Sequence, residues 1–77
     1  MAKIIIYSTP TCVYCKLAKT FFNENSIAYE ERDVTENDGW LDEMVKKSNQ
    51  MGVPVIDIDG SIVVGFDKNK VKELAGI

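Results

Sequence analysis

Histidine is absent from this sequence. With it go the Ser-His-Asp and Cys-His nucleophile systems and the HExxH zinc motif. The five glycines form neither GxGxxG nor GxxxxGK[ST], so no cradle for nucleotide phosphates is signalled. Basic residues are in the minority, nine against twelve acidic, for a net charge of −3. They are also scattered, and Lys46-Lys47 is a two-residue run of the kind a solvated helix face carries. Phosphate recognition calls for massed Lys and Arg, so a nucleic-acid partner is disfavoured. No run approaches the roughly 18 apolar residues of a membrane span. Met1 to Ile6 is too short for a signal peptide and leads straight into a strand, which points to the cytosol. Cysteine is scarce as well: there are two. Structural disulfides are rare in the cytosol, so a pair of cysteines there points to redox chemistry or metal binding.

What is present fits one small domain spanning residues 1–77, with 45% hydrophobic residues to build its core. Lys3-Ile4-Ile5-Ile6-Tyr7 is apolar without alternation and reads as a central strand buried on both faces. Ser8 to Thr11 breaks it. Residues 14–25 read as a helix, with Tyr14, Ala18, Phe21, Phe22 and Asn25 at helical spacing and the stripe widening toward Leu17. Residues 27–34 are more polar and predict an edge strand. Thr35 is the expected cap of a second helix, with Asp38 three positions on and Leu41, Met44, Val45 and Ser48 on its stripe. Val53–Ile58 predicts a third strand, Asp59-Gly60 a hairpin turn, and Ser61–Val64 the returning strand. Asp67 is placed to cap a last helix carrying Val71, Leu74 and Ala75. The order β-α-β-α-β-β-α predicts an α/β fold with a mixed four-stranded sheet and three helices.

Cys12-Val13-Tyr14-Cys15 falls where the buried strand gives way to the first helix. A helix start offers free N–H groups and a positive dipole end, both of which favour a thiolate. Cysteines three apart across the first turn can also form a disulfide. Cys12 is therefore the expected nucleophile, with a lowered pKa, and Cys15, one turn deeper, the resolving thiol. Lys16 and Lys19 either add a positive field or are ordinary exposed helix residues. Zinc or an iron–sulfur cluster is the alternative. Two cysteines are half of a tetrahedral set, so the other half would come from a second chain or from external thiols. An inert core pair is the third reading, and the polar flank at Thr11 speaks against it.

Tyr7 to Cys15, Gly52-Val53-Pro54 and Gly65-Phe66-Asp67, in this element order, resemble the glutaredoxin family over essentially the whole chain. The resemblance implies a thioredoxin fold and a disulfide reductase, active on protein disulfides and on glutathione mixed disulfides, serving electron transport and cell redox homeostasis. It implies no tightly bound cofactor, with glutathione as co-substrate; a monomer is expected because every long apolar stripe has a sheet face to cover. It implies that Pro54 is cis and that the Val53 backbone pairs with the substrate's cysteinyl segment; from sequence alone Pro54 reads equally as a strand-start proline. Tyr14 is implied to flank glutathione, while Gly65, Phe66 and Asp67 are implied to hold its γ-glutamyl end. Asp67 reads equally as a plain N-cap, and Phe66 as a core residue under the last helix. The chain departs from the family's usual pattern at Val13, where a proline is common, at Gly52 in place of a threonine, and at Val64 in place of a glycine. Thr9 stands where a lysine usually pairs with the glycyl carboxylate. Val13, Gly65 and Phe66 are shared with the glutaredoxin-like reductants that serve ribonucleotide reductase. That likeness implies an alternative electron donor, a flavoprotein of the thioredoxin-reductase type.

Overall fold

The computed structural model describes residues 3–76. Its elements are β1 (Ile4–Ser8), α1 (Val13–Glu24), β2 (Glu30–Asp33), α2 (Asp38–Ser48), β3 (Val55–Ile58), β4 (Ser61–Val64) and α3 (Lys68–Ala75). One sheet runs in the order β2-β1-β3-β4. β1 is parallel to β2 and antiparallel to β3, and β3 is antiparallel to β4. This is the thioredoxin-like fold expected from the sequence.

β1 does not alternate because both of its faces are covered. Ile4 and Ile6 join Ala18, Phe21 and Phe22 of α1 and Val71 of α3 in one core. Ile5 and Tyr7, on the other face, pack against Met44 of α2 together with Val34 and Val55. A strand buried on both sides has no polar face to show. Leu17, expected to extend the apolar stripe of α1, instead faces outward and is 49% exposed.

Three boundaries shift from the expectations by two residues or more, each for a local hydrogen-bonding reason, while the ends of α1 move by one. β2 begins at Glu30 rather than Ile27, because the Ile27 N–H donates to the Phe22 carbonyl at the exit of α1 (2.8 Å). α2 is capped by Asn37, whose side chain accepts from the Gly39 N–H (2.8 Å). Thr35 is occupied in a turn, where its N–H and hydroxyl both donate to Asp33 Oδ1 (2.8 and 2.5 Å). β3 begins at Val55, since Pro54 has no N–H to give to the ladder. The Asp59-Gly60 turn is as expected, with positive φ at both residues (51° and 91°).

The α2 face also holds a polar network. Tyr7, fully buried, donates its hydroxyl to Glu43 and accepts from Lys47 Nζ (2.8 Å). Lys47 also donates to Asp57 (2.7 Å), and Arg32 donates to Glu43. Among the described residues no buried side-chain nitrogen or oxygen lacks a partner. No helix among them is long and apolar enough to cross a membrane.

Candidate active site

The parallel and antiparallel registers bring three segments to one end of the sheet. β1 ends at Ser8, and Thr9-Pro10-Thr11 turns the chain so that the Cys12 N–H donates to the Thr9 carbonyl (3.3 Å). Tyr7 pairs with Val55, which sets Pro54 beside the end of β1. Val55 pairs with Val64, and the Gly65 N–H donates to the Pro54 carbonyl (2.8 Å).

Cys12 is the N-cap of α1, with extended backbone (φ −79°, ψ 114°). Its sulfur accepts the Cys15 N–H at 3.1 Å, the contact a serine or aspartate oxygen usually makes. The sulfur thus sits at the positive end of the helix, against one of its free N–H groups, where negative charge is stabilised. Cys12 is half-buried and Cys15 fully buried, and both are free thiols. Burial pushes the Cys15 thiol up to about 12, and its hydrogen bond with Cys12 adds to the effect. A backbone hydrogen bond from Thr9 and the charge of Lys19 act in the opposite sense. The pair therefore combines an accessible sulfur in an anion-stabilising position with a shielded thiol one turn below.

The Val53–Pro54 peptide is cis, as the family resemblance implied. Pro54 is buried and Val53 half-buried. Among the described residues no backbone group takes up the Val53 N–H or carbonyl. Gly65 has φ +78°, a conformation that favours glycine, and nothing crowds the place of its missing Cβ. Phe66 turns into the core against Phe21, ring centroids 5.7 Å apart. Asp67 caps α3 by accepting the Lys70 N–H on Oδ1 (3.2 Å). Tyr14 lies on the outer surface of α1, 64% exposed, beside exposed Val13.

Two features were not anticipated. Met51, in the loop before Pro54, is 69% exposed; its only signal in the sequence is an apolar residue between Gln50 and Gly52, outside any helical stripe. Lys19 is also less free than its sequence context suggests. Its Nζ donates to Glu31 Oε2 (2.6 Å), and the same oxygen accepts from Ser8 Oγ (2.9 Å). Among the described residues no group of three or more His, Cys, Asp or Glu could hold a metal ion.

The glutaredoxin family pattern matches residues 4–63. The chain is 44% identical over 71 residues to a glutaredoxin-like 8.6 kDa protein in the rubredoxin operon of Clostridium pasteurianum, covering 92% of this chain and 95% of that one. It is 32% identical over 75 residues to the glutaredoxin-like protein NrdH of Lactococcus lactis, covering 94% and 99%. Among solved structures it is similar to the thioredoxin-like protein BC3987, with a TM-score of 0.88, 33% identity, and 94% and 99% coverage.

Proposed function

The chain belongs to the glutaredoxin family, and from that premise we propose that it reduces disulfides by a dithiol cycle with Cys12 as nucleophile and Cys15 as resolving thiol. The observation that carries this reading is the N-cap sulfur of Cys12, half-exposed and directly bonded to the Cys15 N–H above a buried second thiol. The Cys12 thiolate attacks one sulfur of a substrate disulfide, and the other leaves as a thiolate. Cys15 loses its proton and attacks Cys12 Sγ. The second half of the substrate departs as a thiol, and the protein is left with a Cys12–Cys15 disulfide that two electrons restore. The first step calls on no histidine, since the chain has none; Cys12 Sγ instead meets the Cys15 N–H at the start of α1. A compartment that keeps thiols reduced, such as the cytosol, suits this cycle.

The partners are disulfide-containing proteins. The unpaired N–H and carbonyl of Val53 can pair antiparallel with the strand that carries the substrate cysteine. Val13 and Tyr14, next to Cys12 in the chain, and Met51, in the loop before Pro54, are exposed apolar side chains available to a protein substrate, and Met adapts to varied surfaces. Glutathione is the proposed co-substrate and reductant. Tyr14, exposed two positions after Cys12, is open to the ligand, and the start of α3 offers backbone N–H groups to a carboxylate. Asp67 caps with Oδ1, so a ligand ammonium would meet Oδ2.

Two observations favour a second reading of the electron donor, a flavoprotein reductase acting on the Cys12–Cys15 disulfide. Thr9 brings no positive charge to the site, and Phe66 packs into the core against Phe21.

The test supplies oxidised protein with glutathione, glutathione reductase and NADPH, or with thioredoxin reductase and NADPH, and a small disulfide as acceptor. NADPH consumption in the first system alone assigns glutathione; consumption in the second alone assigns the flavoprotein. Cys12→Ser is expected to stop turnover in both systems, and Cys15→Ser to retain only the reduction of glutathione mixed disulfides, and only where reduced glutathione is supplied. Unchanged turnover in Cys12→Ser would sink the assignment.

A further inference from the structure

A resolving thiol with no exposure to water does not ionise unaided, yet it must lose its proton before it can attack. We propose that the Lys19 ammonium stabilises the Cys15 thiolate as it forms, and that Glu31 and Ser8 are positioning residues that hold Lys19 in place. The proposal rests on the dithiol reading and assigns residues to its second step.

Cys15 and Lys19 are four apart on α1, so they lie on one face of the helix, one turn from each other. The ammonium is tethered to β2. Glu31 Oε2 accepts Lys19 Nζ at 2.6 Å and Ser8 Oγ at 2.9 Å. Ser8 is 1% exposed and ends the strand that leads into the cysteine turn. The ion pair is thereby fastened to the core next to the site, unlike a pair of free surface side chains. Lys16 differs: it adjoins Cys15 in sequence, points to another side of the helix, and is exposed. The charged and titratable groups around Cys15 are Cys12 and Lys19 of its own helix, with Glu31, Asp33 and Tyr29 behind Lys19 from β2 and its approach. β1 contributes the uncharged Ser8. In keeping with this, the charge of Lys19 opposes the upward push of burial on the Cys15 thiol, and Cys15 in turn favours the charged form of Lys19.

The two thiol steps can be timed separately with an aromatic disulfide, 5,5′-dithiobis(2-nitrobenzoate), whose released thiolate is coloured. The Cys12 thiolate attacks it, forming Cys12–S–S–aryl and releasing one aryl thiolate. Cys15 then loses a proton to solvent and attacks Cys12 Sγ, forming the internal disulfide and releasing a second aryl thiolate. Lys19→Met is expected to slow the second release about threefold to tenfold at neutral pH, since the thiolate fraction falls and the greater basicity of the remaining thiolate offsets only part of the loss. The first release should stay within about twofold, and the second should need a pH about half to one unit higher to regain its rate. Lys19→Arg keeps the charge and the tether to Glu31 and is expected to restore the second release. An unchanged second release in Lys19→Met, equal slowing in Lys19→Arg, or equal slowing of both releases would overturn the role of Lys19. A single release from the unaltered protein would instead overturn the dithiol reading, and the proposal with it.

Discussion

At Cys12 one sulfur has two tasks, capping a helix and doing chemistry, and a single substitution separates them. Serine is among the preferred N-cap residues, so Cys12→Ser keeps the cap of α1 while removing the nucleophile. Urea unfolding of Cys12→Ser is expected to match that of the unaltered protein within about 0.5 kcal/mol, while turnover vanishes. The neighbouring thiol differs in exposure. Cys15 is buried and its thiol is pushed up to about 12, so almost none of it is thiolate at pH 8. Iodoacetamide at that pH should add one label to the folded protein, at Cys12, and two labels in denaturant; mass spectrometry reads the count. The placement of the two cysteines, one at the start of α1 and one a turn deeper, was legible in the sequence because it depends on order within one helical turn. The placement of Phe66 was left open there, because its partner Phe21 lies 45 positions away in the chain, and sequence spacing does not reveal such contacts.

At the scale of elements, caps and turns decide where the chain changes direction. Asn37 satisfies the Gly39 N–H at the start of α2, whereas Thr35 serves the Asp33 turn before it. Asn37→Ala is expected to cost about 1 kcal/mol of stability, and Thr35→Ala less, in paired denaturant titrations. Sequence favoured Thr35 because both residues are good caps and only the path of the chain after β2 tells them apart. The Asp59-Gly60 turn and the Asp67 cap were legible, since each is a local pattern with one low-energy conformation. β2 was overextended in the sequence reading because Ile27 looks like strand; its N–H is held by the Phe22 carbonyl.

Across the whole molecule, two apolar layers of unequal character flank the sheet. The α1–α3 layer is built on Phe22, and Phe22→Ala should cost about 3–5 kcal/mol, enough to unfold much of a chain this small. The α2 layer is part apolar and part ionic, joining Tyr7, Arg32, Glu43, Lys47 and Asp57 from four elements. No window of sequence contains that set, which is why it was not foreseen. It also makes stability depend on pH. The Tyr7 hydroxyl first, with Arg32 and Lys47, holds Glu43 below its ordinary value of 4.5, and Lys19 with Ser8 does the same for Glu31. A carboxylate depressed on folding stabilises the native state above its unfolded pKa, and that contribution is lost as pH falls through the folded value. The urea midpoint should therefore be level from pH 7 to about 5 and drop below about 4.5, with a shallower drop in Glu43→Gln.

The two borders of the sheet are not alike. β2 lines one with Glu30, Glu31, Arg32 and Asp33, while β4 lines the other with Ser61, Ile62, Val63 and Val64 and carries no charge. Charged border strands repel the docking of a further chain, and uncharged ones admit it. In crowded solution, strand-to-strand recruitment between copies has one open side. Joining there uses that side up, because the resulting pair presents β2 at both of its limits. The charged border that such a pair would show at each limit is of the kind that blocks a further strand, whereas a cross-β fibre needs pairing that continues.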